Sequence, residues 1–339
     1  MIFQSKQKIV IASLLIFPSH SIYAQSETDT TNLGEITFFP KEGDLYNETN
    51  IQFLNSNADG SNNYANQSNS QNWKSSATTY KHQSHFSFAK NHTLGLLLAY
   101  SAIESDTKST QYSNISNQIY ISKKSYKWKG LQNPLFIYQT RLHEQLNNDS
   151  YNLDFNAEFS PNIFPAKSAS TNSDGTVASG NNLFNIGLNL SKKMQNSNFI
   201  KSGISLNYYT ETNYESSSSD NNSTKVDPYV SGSIFLQGQK FFNPKLAISL
   251  KGEFYYVAKK TYNYYYNGNS NGYSKTDPAY SVDGQLRIDY IAIENSFTLF
   301  SSFNYGYEFE NKSYSSNGSA SNNKNMYSTA IALGTTYLL

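Results

Sequence analysis

The chain contains no cysteine, so neither a disulfide framework nor thiol chemistry is open to it. It also lacks any long apolar run. The longest, Ile9–Phe17, is well short of the roughly 20 residues a transmembrane helix needs, which excludes a helical inner-membrane protein. Charge is scarce and balanced: 15% of residues are charged and the net charge is +1, so a nucleic-acid partner is not expected. The only arginines are Arg141 and Arg287. The five histidines show no metal-ligand spacing and no glycine-rich phosphate loop is present, so no metal, nucleotide or other cofactor is expected.

What the chain has is Asn, Ser and aromatic residues. A mean hydropathy of −0.59 with 37% hydrophobic residues would suit a disordered protein, but 28 tyrosines and 21 phenylalanines are far too many for one. A membrane β-barrel reconciles these facts, because only every second residue of its strands must be apolar to meet lipid. The C-terminus shows the pattern: Ile331, Leu333, Thr335, Tyr337 and Leu339 share one face, and the small Ala330, Ala332, Gly334 and Thr336 share the other with Leu338. Leu94, Leu96, Leu98 and Tyr100 alternate in the same way with Gly95, Ala99 and Ser101.

Counting such segments predicts an all-β fold, a transmembrane antiparallel barrel of about twelve strands, an even number. The expected spans are 44–57, 77–89, 93–105, 132–145, 150–160, 182–191, 198–214, 227–240, 245–263, 279–291, 296–313 and 325–339. Short connections such as Lys90–His92, Leu146–Asp149 and Phe241–Pro244 alternate with long polar ones such as Ala58–Ser76, Glu215–Val226 and Ser315–Lys324. That is the asymmetry of short periplasmic turns and long outer loops. The segment Ile119–Trp128 is assigned to the second outer loop, since a thirteenth strand would break the parity. Residues 1–24 read as a signal peptide: Lys6 and Lys8, then the apolar run, then cleavage after Ala24. Residues 25–43 are expected to form a periplasmic lead-in or a small plug, and 44–339 the barrel. The expected location is the bacterial outer membrane.

Tyrosines near strand ends, including Tyr208, Tyr209, Tyr256, Tyr262 and Tyr305, are expected in an interfacial girdle. Alternation places both arginines inward, with Glu48, Lys81, His85, His143, Lys201 and Glu308. Arg141 should face Asp154 and Glu158 on the next strand and brace the lumen. Lys251, Glu253, Asp283, Arg287 and Asp289 should line the lumen and set its selectivity. An enzyme reading rests on His82-Gln83-Ser84 and His85-Phe86-Ser87, each with His and Ser on one strand face, as base-assisted serine chemistry requires. No orienting group or oxyanion donor accompanies them, so catalysis is not expected. Expected partners are outer-membrane lipid and lipopolysaccharide, small solutes, and the barrel-assembly machinery through the C-terminal strand. Ser/Asn/Gly-rich outer loops such as Lys167–Asn181 leave open a structural or adhesive surface barrel, or, further behind, a phospholipase-like hydrolase.

Gly130-Leu131-Gln132-Asn133 opens the segment Pro134–Leu142, and Ser160-Pro161 and Phe164-Pro165 precede a loop with Gly175 and Gly180. This order of elements resembles a family of outer-membrane transporters linked to meta-pathway phenol degradation. Gln132 and Asn133 depart from that family's Gly-Leu-Gly-Asp start. The resemblance implies passage of small solutes across the outer membrane, as a channel or facilitator.

Overall fold

The large apolar and the small or polar residues of each segment part to opposite faces, and the sheet they form closes on itself. The structure, a computed structural model, describes residues 33, 35–64, 67–113, 118–145, 150–170, 173–194, 197–216, 222–266 and 269–339. The expected signal peptide, residues 1–24, lies outside the described residues.

The first six strands of the wall are β1 (Leu45–Tyr64), β2 (Gln67–Ala89), β3 (His92–Ser113), β4 (Leu135–His143), β5 (Asn152–Ser160) and β6 (Leu183–Lys193). The other six are β7 (Asn198–Tyr209), β8 (Tyr229–Asn243), β9 (Leu246–Val257), β10 (Ala279–Ile293), β11 (Phe297–Glu308) and β12 (Ala320–Leu338). Each pairs antiparallel with the next. β12 returns to β1 from Tyr46↔Leu338 to Asn63↔Ala320, so the wall has no free edge. On one rim the connections are short: Lys90-Asn91, Pro244-Lys245 and Glu294–Ser296. Asn91 and Asn295 take φ of 65° and 55°, the left-handed conformation that Asn tolerates in tight turns.

On the opposite rim the expected long loops are largely strands. Within Ala58–Ser76, residues 58–64 and 67–76 continue β1 and β2 as paired strands, and Ser315–Lys324 carries the start of β12. Ile119–Trp128, expected in a loop, lies within the strand Gln118–Leu131, which pairs with Tyr100–Ser113 of β3 and extends the line of β4 outward. Polar composition conceals the strands within Ala58–Ser76 and Ser315–Lys324, because above the lipid a strand needs no apolar face. Strand parity misplaces Ile119–Trp128, which continues β4 and adds no strand to the wall. Further pairs (Thr212–Ser216 with Asn222–Val226, Thr261–Tyr266 with Asn269–Thr276, and Asn311–Ser315 with β12) complete a collar above the wall. Among the described residues β5 and β6 have no such extensions, and residues 167–170 and 173–175 lie in their place. Gly175 bridges Trp128, Thr176 N donates to Lys167 O, and Lys167 pairs with Glu215.

The outer surface of the wall is an apolar belt: Leu94, Leu96 and Leu98 on β3, Phe184, Ile186, Leu188 and Leu190 on β6, and Ile331 and Leu333 on β12 are all exposed. In water such a belt would drive aggregation; in a bilayer it is the solvent-matched face. Aromatic rings mark its upper edge, with Phe159, Phe184 and Tyr208 in sequence around the wall and Tyr256 against Tyr280. Part of the expected girdle turns inward instead. Tyr209 and Tyr262 are buried with Tyr229 inside the barrel, since each sits one residue out of phase with its outward neighbour.

Candidate functional site: the lumen and its mouth

Inward alternation puts a different chemistry at each height of the lumen. At the short-turn end lies the chain that precedes β1. Leu33, Ile36, Phe38 and Phe39 are each no more than 3% exposed, although no strand holds them. Ile36 N donates to Gln239 Oε1 at 2.9 Å, and its carbonyl accepts from Lys201 Nζ at 3.5 Å. The Phe38 ring packs 5.6 Å from Tyr46, and the Arg141 guanidinium lies 5.2 Å over Phe39. Glu35 meets Lys193 at 3.4 Å. Burial pushes the Glu35 carboxyl up to about 7, with Lys193 opposing the shift.

Above this segment Arg141 makes a two-pronged pair with Asp154, Nε to Oδ1 at 2.8 Å and NH2 to Oδ2 at 3.0 Å, both side chains fully buried. Glu158, expected to share Arg141, instead accepts from Asn156. His143, expected inward, is exposed. A register shift between Arg141 and His143 turns it out, where its Nδ1 meets Tyr151 O. Asparagines continue the polar layer around the wall: Asn189 to Asn156, Asn156 to Asn185, Asn185 to Asn207 and Asn207 to Ser231. The sequence signal for this amide belt was there, since Asn185, Asn189 and Asn207 all fall on inward positions, but asparagine is so common in the chain that it did not stand out.

The remaining half of the lumen, walled by β9–β12, β1 and β2, encloses a cavity of about 140 Å³. Lys251, Glu253, Asp283 and Arg287 line it with Glu48 and Lys81. Lys251 is paired with Glu253; Arg287 joins Glu48 at 3.4 Å and Asp289 at 2.9 Å. Asp289 sits behind Arg287, outside the cavity lining. The arginine is further held by the Phe300 ring, 3.8 Å below its guanidinium. That ring lies against Gly334, where a Cβ would come within 2.5 Å of Phe300 Cζ, so the small inner face of β12 makes room for the stack. Counted together, four acids (Glu48, Glu253, Asp283, Asp289) stand against three bases (Lys81, Lys251, Arg287). Inside the collar the lining becomes aromatic: Trp73, Tyr126 and Trp128 in one cluster, and Tyr209 stacked 4.4 Å from Tyr229 in the other.

The two His/Ser pairs separate. His85 and Ser87 are buried inward. His82 and Ser84 face lipid, where Ser84 Oγ meets His82 Nε2 at 3.0 Å and Thr49 Oγ1 meets His82 Nδ1 at 2.8 Å. Ser84 stands midway between Tyr80 and Phe88 on the exposed face of β2, at the height of acyl tails rather than ester bonds. Among the described residues no group of three or more His, Cys, Asp or Glu could hold a metal ion.

No protein-family model matches the chain, and no curated protein does. Solved structures do. An outer-membrane channel of Pseudomonas putida F1 superposes with a TM-score of 0.51 over 92% of this chain and 100% of that one, at 10% identity. The chain is an outer-membrane β-barrel. A FadL homologue of Pseudomonas aeruginosa aligns with a TM-score of 0.42, 8% identity, 88% of this chain and 91% of that chain. The outer-membrane protease OmpT of Escherichia coli aligns with a TM-score of 0.35, 10% identity, 87% and 97%.

Proposed function

We propose that the barrel is a channel for small solutes, with the charged cavity between β9 and β2 as its selective zone and the segment before β1 as its periplasmic stopper. The observation that carries this reading is the cavity itself. A barrel needed only as a scaffold gains nothing from keeping open space beside fixed charges, which cost free energy to hold away from water. The lining itself is balanced, three acids against three bases, and Asp289 behind Arg287 adds the one further carboxylate on which a preference for cations rests. The resemblance to phenol-pathway transporters adds aromatic compounds as candidate solutes, and the inward rings of the collar support that finer reading. The non-conducting alternative draws on the tight packing at the mouth, and the stopper answers it if the segment can leave.

Reversal potentials in a planar bilayer under a salt gradient test the assignment. Asp283→Asn should shift selectivity toward anions, and Arg287→Glu should shift it further toward cations. Unaltered selectivity in both variants would mean that ions do not pass this cavity.

A further inference from the structure

The outward face of β2, β3 and the strand Gln118–Leu131 changes character above the girdle. Tyr80, Tyr100 and Leu131 stand side by side in register, exposed at the top of the lipid belt. Farther out, the same face carries Lys129 opposite Ala102, Lys127 opposite Glu104, Lys74 opposite Asp106, and Lys108 opposite Lys123. All five lysines are exposed. Two of them have acidic partners: Lys127 meets Glu104 at 2.6 Å, and Lys129 meets Asp174 at 2.9 Å. Lys108 and Lys123 differ. They are direct cross-strand neighbours, an arrangement in which like charges repel. Neither makes an ion pair with any described residue. A like-charge pair set on a rigid sheet is a place where an anion from outside lowers the energy.

Height identifies the anion. At about 3.4 Å per residue and a strand tilt of about 40°, each residue climbs roughly 2.5 Å along the barrel axis. Lys129 thus lies roughly 5 Å beyond Tyr100, and the Lys108–Lys123 pair roughly 20 Å beyond it. The phosphate of a glycerophospholipid stays at the girdle and reaches only the lowest lysines. A phosphorylated glycolipid carries anionic groups outward on its sugars, over the height the strip spans.

We propose that this lysine strip is a binding site for a phosphorylated glycolipid of the outer leaflet, with Lys108 and Lys123 holding one sugar phosphate between them. The lower lysines, Lys127 and Lys129, meet the headgroup-level phosphates, and Lys74 lies between the two levels. The site is on the outer surface and is independent of whether the lumen conducts.

The test is lipid retention by the folded, full-length barrel in detergent, read by native mass spectrometry. The probes are lipopolysaccharide with a phosphorylated core and, separately, phosphatidylglycerol. Lys108→Glu with Lys123→Glu should weaken lipopolysaccharide binding at least tenfold and leave phosphatidylglycerol binding unchanged. Lys245→Glu, on the opposite rim, should change neither. Removing the core phosphates enzymatically should reproduce the loss with the unmodified protein. If the charge-reversed pair does not fold, Lys108→Gln with Lys123→Gln is measured instead and should show a smaller loss in the same direction. The proposal is overturned if lipopolysaccharide binds the double variant as well as the parent. It is equally overturned if phosphatidylglycerol loses affinity in parallel, or if dephosphorylated lipopolysaccharide binds undiminished.

Discussion

The buried charged side chains of this barrel are held by pairing. Arg141 and Asp154 form the clearest case, two opposite charges each almost wholly removed from solvent. Removing one partner leaves the other charge buried without compensation, at a cost of about 3–5 kcal/mol. Arg141→Ala should therefore lower the urea midpoint of the folded barrel in lipid vesicles. The double variant Arg141→Leu/Asp154→Leu should recover most of the loss, and a double variant as weak as the single one would show that the pair is not what is being removed. At the same scale, Ser84 should be silent chemically. Ser84→Ala should leave any release of fatty acid from phospholipid unchanged, because its hydroxyl donates to Asn47 Oδ1 at 2.6 Å and the residue sits in mid-belt, away from the ester level. A loss of hydrolysis on that substitution would reopen the enzyme reading. The inward positions of Arg141, Asp154, Arg287 and Asp289 were legible from alternation alone. His143 was not, because one extra residue in β4 reverses its side and nothing in the local composition announces that residue.

At the scale of elements, the segment before β1 is the part whose behaviour follows from its contacts. Its described residues up to Phe39 join no β-ladder and depend on Phe38, Phe39 and the polar ties to Gln239, Lys193 and Lys201. Burial raises the Glu35 carboxyl from 4.5 to about 7, so the docked segment holds a proton that the undocked one releases. Docking is fully favoured below the undocked value and weakens as pH rises from 4.5 to about 7; above that, no further change comes from this group. Limited proteolysis of the segment should accelerate over that range, and Glu35→Gln should remove the dependence. The absence of native cysteine also permits a clean lock. Oxidised Ile36→Cys/Gln239→Cys should suppress conductance, and reduction should restore it; equal conductance in both redox states would show that the segment is not the stopper. Strands of the wall were legible because lipid enforces period-2 apolarity on them. The collar ends of β1, β2 and β12 were not, since water on the outside lifts that constraint and leaves Ser and Asn where a belt strand has Leu. Gln118–Leu131 escaped for another reason, strand parity, which it does not break because it continues β4.

For the whole molecule, a closed wall, an apolar belt and asymmetric rims define an object that spans the outer membrane, and whether solutes pass through it is decided by the lumen. The lower mouth is packed, the middle is polar and charged with a cavity on one side, and the collar is lined by rings. The sequence could not reveal this layering, because which inward residues meet depends on the stagger that closure imposes. Glu48 and Arg287, for example, are joined across 239 positions of the chain. Single-channel recording of the refolded, full-length barrel in a planar bilayer tests the central claim most directly. Discrete conductance steps, reduced by permeating aromatic or cationic solutes and shifted by Arg287→Glu, are the predicted result. A demonstrably folded barrel that stays silent at every pH from 5 to 8 would contradict it.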